Sequence, residues 1–198
     1  SYQFDGSGWS VWTVNTSVVF DYLDEGDHAF MVKSRSLNGD IQLIPTALDF
    51  SVDAVGGPSA VVYPYRQTGS PGDTLIYQIM AEEVTNLFAV ECDITFNSEY
   101  VELVEVVFGD ILNEWGGSPL LIPEVSASSI SISMVAVEGS STSFSGTTSL
   151  ATLMLQIKPT AVSSAELSVI EIPGSTYLNP GLETIDVASS RGGMLDVH

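Results

Sequence analysis

A side-chain alternation of period two runs along nearly the whole of this chain and limits what it can fold into. Apolar residues alternate with Ser, Thr or acid in run after run, and β-branched residues fill many of the apolar positions. Residues i and i+2 of a strand share a face, so each run can bury one face and wet the other. Such runs fall at 17–20, 28–34, 47–52, 60–65, 74–81, 87–96, 101–108, 120–125, 129–137, 149–157, 165–172 and 193–197. Turn formers separate them, among them Leu37-Asn38-Gly39-Asp40, Gly69-Ser70-Pro71-Gly72-Asp73 and Asn179-Pro180-Gly181. No stretch carries a convincing helical period. Short strands at this spacing predict an all-β fold of antiparallel β-sandwich type.

Charge narrows the partners. Against 25 Asp+Glu stand 5 Lys+Arg, for a formal net charge of -20. Nucleic acid is excluded as a partner because neutralising phosphates takes clustered cations. No apolar run approaches the roughly 20 residues of a spanning helix, so membrane insertion is not expected. The excess of acid favours solubility and steers a partner that carries a basic patch. A lone Cys92 rules out an internal disulfide, and its place in the apolar alternation makes it a small buried hydrophobe.

Catalysis finds little support. The two histidines are His28 and His198, too far apart in sequence to suggest a shared acid–base or metal site. Glu82-Glu83 and the other acid pairs fall in turns and read as solvated surface. The chain is therefore expected not to be an enzyme. Asp21-Tyr22-Leu23-Asp24-Glu25-Gly26-Asp27 lacks the spacing of an EF-hand loop but is oxygen-rich, which leaves a structural calcium ion open. Exposed aromatics would suit a carbohydrate-binding module. Trp9, Trp12, Trp115, Tyr63, Tyr65, Tyr100 and Tyr177 are scattered, however, and Trp115 is the one expected to be exposed.

A Gly-Pro stretch at Asp53-Ala54-Val55-Gly56-Gly57-Pro58-Ser59 marks a boundary, giving a module over 1–53, a linker over 54–59 and a larger module over 60–198. The serine-rich tract 139–149 reads as a loop. Within the first module, Gly8-Trp9-Ser10-Val11-Trp12 and Gly26-Asp27-His28-Ala29-Phe30-Met31-Val32 resemble the later strands of immunoglobulin-like modules of the Y_Y_Y or fibronectin type III sort. That resemblance implies a partial module, trimmed from a longer secreted protein.

The larger module resembles a cohesin. The likeness rests on an ordered series: Gly69-Ser70-Pro71-Gly72-Asp73-Thr74-Leu75, then 84–97, then Val101-Glu102-Leu103-Val104-Glu105-Val106, Gly109-Asp110-Ile111-Leu112, 146–158 and Gly193-Met194-Leu195-Asp196-Val197. Asn97 stands where the family carries an aspartate. The resemblance implies a nine-stranded jelly-roll sandwich. It implies a non-catalytic scaffold module of a cellulosome-like system, outside the cell or on its surface, receiving a dockerin-type partner on one sheet face.

Period two turns Phe88, Val90, Cys92, Ile94 and Phe96 inward, and leaves Ala89, Glu91, Asp93 and Thr95 to line that face. On the neighbouring run, composition puts Ile130, Ile132 and Met134 in the core, whereas alignment to the family would turn them outward. Ser131 and Ser133 are taken as the outward pair. Polysaccharide is the alternative partner.

Overall fold

The computed structural model describes residues 1–20, 23, 26–52, 55–116, 119–137, 143–161 and 164–198, with backbone alone at 164–166. It divides into two compact units, Ser1–Ala54 and Val55–His198. The acidic stretch considered for calcium lies mostly outside the described residues, at 21, 22, 24 and 25.

The smaller unit is a three-stranded antiparallel sheet, β1 (Tyr2–Phe4), β2 (Gly26–Val32) and β3 (Thr46–Val52), in the order β1-β2-β3. Pairing sets Phe4 opposite Phe30 and His28 opposite Phe50, which gathers their rings on one face. The run at 17–20 is not a strand; instead Phe20 stacks on Phe4 at 4.4 Å between ring centroids. Stacking against the apolar face satisfies Phe20 better than a ladder would, since such a strand would have no sheet on its other side to cover. Asp5 accepts a bond from the Ala29 amide at 2.8 Å and lies 2.6 Å from His28 Nδ1, which holds its carboxyl below the usual carboxylate range. Lys33 Nζ sits 3.7 Å from the Trp9 ring centroid, and the Arg35 guanidinium 4.7 Å from that of Trp12.

The larger unit is a sandwich of two sheets. One contains β4 (Ser59–Tyr63), β6 (Thr74–Leu87), β8 (Val101–Phe108), β11 (Phe144–Ile157) and β14 (Ser189–Arg191), in the order β14-β4-β6-β11-β8. The other contains β5 (Arg66–Gly69), β7 (Ala89–Phe96), β9 (Leu120–Val125), β10 (Ser129–Val135), β12 (Ser164–Leu178) and β15 (Gly193–Val197), in the order β5-β15-β12-β7-β10-β9. A two-residue strand, β13 (Thr184–Ile185), pairs with β12. Leu75, Tyr77 and Ile79 of β6 and Leu153, Leu155 and Ile157 of β11 share one core with Val90, Cys92, Ile94 and Phe96 of β7 and Ile130, Ile132 and Met134 of β10. The serines of β10 therefore point away from the core.

Chain segments that switch sheets close the sandwich. β4 and β5 are separated by Pro64-Tyr65, of which the proline has no N–H for a ladder, and β14 and β15 by Gly192. Each pair sends one strand to each sheet, and β14 with β4 and β15 with β5 are the parallel pairs. At Gly192 any Cβ would overlap the carbonyl of Ile170.

A one-turn helix, α1 (Ile111–Glu114), covers the end of the core with Ile111 and the following Trp115. The expectation that Trp115 is exposed is corrected here: it is 0% exposed, and its Nε1 donates a 2.9 Å bond to the Leu87 carbonyl. The tract read as a loop over 139–149 is strand β11 from Phe144 on, while 138–142 lie outside the described residues.

Candidate functional site

The outward side of the β9–β10–β7–β12 sheet is built row by row from strand register, because cross-strand partners share a face. Leu120, Val135, Ala89 and Leu178 form one row, and Ile122, Ser133, Glu91 and Thr176 the next. Glu124, Ser131, Asp93 and Gly174 form the third. Beyond it, Ser129, Thr95 and Glu171 continue the series. Leu120 and Ile122 are each 53% exposed. The face thus runs from an apolar edge to an acidic one, and none of its four strands contains Lys, Arg or His.

Two features of sequence shape it. Pro123 can sit in β9 because β9 is the last strand of its sheet and need not donate on both sides. Within β12, Thr95 pairs with Glu171 and Asp93 with Gly174, so β12 uses one residue more than β7 over that span. Pro173 lies in this bulge and lacks a ladder N–H; the extra residue restores Gly174 to the outward side.

The alternation along β7 places its residues as follows. Glu91 and Asp93 are exposed and Thr95 half-buried, on the outward side. Ala89 shares that side by parity but is only 6% exposed, because its methyl lies between the larger Val135 and Leu178. It contributes floor rather than contact. Ser131 and Ser133 are half-buried and outward, while Ile130, Ile132 and Met134 are buried. Ser131 Oγ donates to Asp93 Oδ1 at 2.7 Å. Leu120, Ile122, Thr176 and Gly174 belong to the same face and were not singled out in the sequence. Only register and the β12 bulge bring them there.

Among the described residues, no group of three or more His, Cys, Asp or Glu is arranged to hold a metal ion. Cys92 is buried, and burial first, with the nearby Asp93 charge second, pushes its thiol up to about 12. Trp115, on which the carbohydrate alternative leaned most, lies in the core.

No protein-family model matches the sequence, and no curated protein is similar to it. Solved structures are similar in fold. The sixth cohesin of scaffoldin B from Acetivibrio cellulolyticus, solved in complex with a Cel5 dockerin variant, covers 72% of this chain and 100% of its own length at 16% identity and TM-score 0.60. This chain contains a cohesin fold. A non-cellulosomal cohesin from the archaeon Archaeoglobus fulgidus covers 71% of this chain and 90% of its own at 13% identity and TM-score 0.54. A type II cohesin from Bacteroides cellulosolvens covers 71% and 99% at 10% identity and TM-score 0.56. The cohesin sandwich is thus shared at identities of 10–16%, so the chemistry of the outward face has to be read from this chain's own residues.

Proposed function

We propose that the cohesin-like sandwich is a non-catalytic docking module that receives a dockerin-type protein on the outward face of β9, β10, β7 and β12. The observation that carries this reading is the face itself. It spans roughly 15 Å at a strand spacing of about 4.8 Å, enough for a helix about 10 Å wide lying against it. Leu120 and Ile122 offer unburied apolar area beside Glu91, Asp93, Ser131 and Ser133. Exposed apolar side chains beside polar ones suit a protein interface. The likeness to a cohesin solved with its dockerin supports the same partner class.

On this reading Glu91, Asp93, Thr95, Ser131 and Ser133 are contact residues, with Ala89 beneath them, and the protein works outside the cell or at its surface. The smaller unit is read as a partial immunoglobulin-like module, a reading supported by its antiparallel three-strand sheet.

The test is capture of the dockerin modules encoded in the same genome, in calcium, by the full chain. Wild type is expected to retain at least one of them, and Glu91→Lys with Asp93→Lys, or Ile122→Asp alone, to lose it. Failure to capture any, or capture that both variants leave unchanged, overturns the proposal.

A further inference from the structure

The Asp93 carboxylate is fixed on one side and open on the other. Ser131 Oγ, from the neighbouring β10, donates to Oδ1 at 2.7 Å. On the opposite flank the Cα partner of Asp93 is Gly174 of β12, which has no side chain to fill the space; a Cβ built there would come no nearer than 3.9 Å, to Oδ2. No described residue donates a bond to Oδ2. The β12 bulge at Pro173 keeps this gap on the outward face, since without the extra residue Pro173 rather than Gly174 would stand opposite Asp93 and its ring would occupy the space. Both Asp93 and Gly174 are exposed.

We infer that Asp93 is the electrostatic anchor of the docking face, receiving one Lys or Arg side chain of the partner in the notch between Ser131 and Gly174. This rests on the docking reading above and adds to it the sign and place of the partner's charge. Charge complementarity carries it. Glu91, Asp93, Glu124 and Glu171 all lie on this face, and its strands supply no cation to offset them. A partner pressed against them without cations would leave desolvated carboxylates unpaired, which is costly. Of these carboxylates, Asp93 has the position best suited to one bond. A hydroxyl from one strand orients it, and the glycine of the next leaves room for the incoming head group. Because apolar Leu120 and Ile122 lie toward the other end of the rows, the partner is set down with its cation toward the Glu124–Asp93 row and its apolar side chains toward Leu120.

The experiment measures affinity of the full chain for the captured dockerin by calorimetry, with four variants: Asp93→Asn, Gly174→Ala, Gly174→Leu and Ile122→Asp. Asp93→Asn keeps an acceptor for Ser131 and removes the charge. It is expected to weaken binding about tenfold or more and to flatten its salt dependence. Gly174→Leu fills the notch and is expected to weaken binding by a similar factor, whereas Gly174→Ala does so less. A double-mutant cycle pairing Asp93→Asn with alanine at each dockerin Lys and Arg should then find one cation whose loss is no longer felt once Asp93 is gone. Melting temperatures matching wild type show that the exposed substitutions leave the fold intact.

The anchor is overturned if Ile122→Asp abolishes binding while Asp93→Asn and Gly174→Leu leave it within twofold of wild type, or if no dockerin cation couples to Asp93. If no dockerin is captured, or if Ile122→Asp also has no effect, the docking reading itself fails and the anchor falls with it.

Discussion

Trp115 Nε1 donates to the backbone carbonyl of Leu87 at 2.9 Å, tying α1 to the corner where β6 ends and β7 begins. Both side chains are fully buried, so the indole closes one end of the core and satisfies an acceptor that has no water to turn to. Replacing it separates those two roles. Trp115→Phe keeps most of the apolar volume and leaves the Leu87 carbonyl short of a partner, for an expected loss of about 1–3 kcal/mol. Trp115→Ala also opens a cavity and is expected to cost about 3–5 kcal/mol. Urea denaturation followed by circular dichroism measures both. Equal losses would mean that the bond, which both variants lose, accounts for the whole effect and the filled volume for none of it.

Three buried acids of high pKa give the larger unit an alkaline limit. Burial keeps the Cys92 thiol protonated up to about 12, and burial raises Tyr77 and Tyr177 above the ordinary tyrosine value. The Tyr77 hydroxyl also donates to the Met194 carbonyl at 2.7 Å, a bond only the neutral form makes. Unfolded, Cys loses its proton near pH 8.5 and Tyr near pH 10. The folded state then holds more protons than the unfolded one, and stability falls as pH rises. Expected is a decline of about 1.4 kcal/mol per pH unit starting near pH 8.5, steepening above about pH 10. Urea midpoints between pH 7 and 11 follow it, and Cys92→Ala should remove the first part of the slope while leaving the second.

The smaller unit is limited at the acid end instead. The His28 bond is the largest influence holding the Asp5 carboxyl low, followed by the Ala29 amide. A depressed carboxylate stabilises the fold above its unfolded value of about 3.9, and that contribution disappears as pH falls through the folded value. Acid titration in a Trp115→Phe background leaves Trp9 and Trp12 as reporters. Their emission is expected to change at higher pH in Asp5→Asn than in the parent, since the variant begins without the contribution that the parent loses only in acid.

How much of this was legible in sequence depends on how local the signal is. Val101–Phe108, Leu120–Val125 and Gly193–Val197 are strands where the alternation placed them, because period two is a property of consecutive residues. β1, β5, β13 and β14 were missed: with two to four residues each, they are too short to establish a period and owe their pairing to partners distant in sequence. Trp115 was misjudged because Asn113-Glu114 and Gly116 read as a polar loop, and only the turn of α1 carries the indole inward. On the outward face of β9, β10, β7 and β12, Glu91 and Asp93 were readable from one strand. Gly174 was not, because its place opposite Asp93 depends on a bulge in β12 that simple alternation cannot register.

Two glycines near the same strand make a last, contrasting prediction. At Gly192 a Cβ would collide with the backbone carbonyl of Ile170, and backbone in the middle of a sheet cannot step aside as a flexible side chain can. Gly192 also lies where the chain crosses from β14 in one sheet to β15 in the other, so a shift there would disturb the parallel pairing of β15 with β5 as well as its ladder with β12. Gly192→Ala is therefore expected to destabilise the sandwich by about 1–3 kcal/mol or more. At Gly174 the nearest atom to a new Cβ is the Asp93 carboxylate at ordinary contact distance, so Gly174→Ala should melt with the wild type. Thermal denaturation of the two variants side by side decides it. A stable Gly192→Ala would mean that the crossing has slack the close approach does not suggest, and an unstable Gly174→Ala would make that glycine a folding requirement rather than an opening on the outward face.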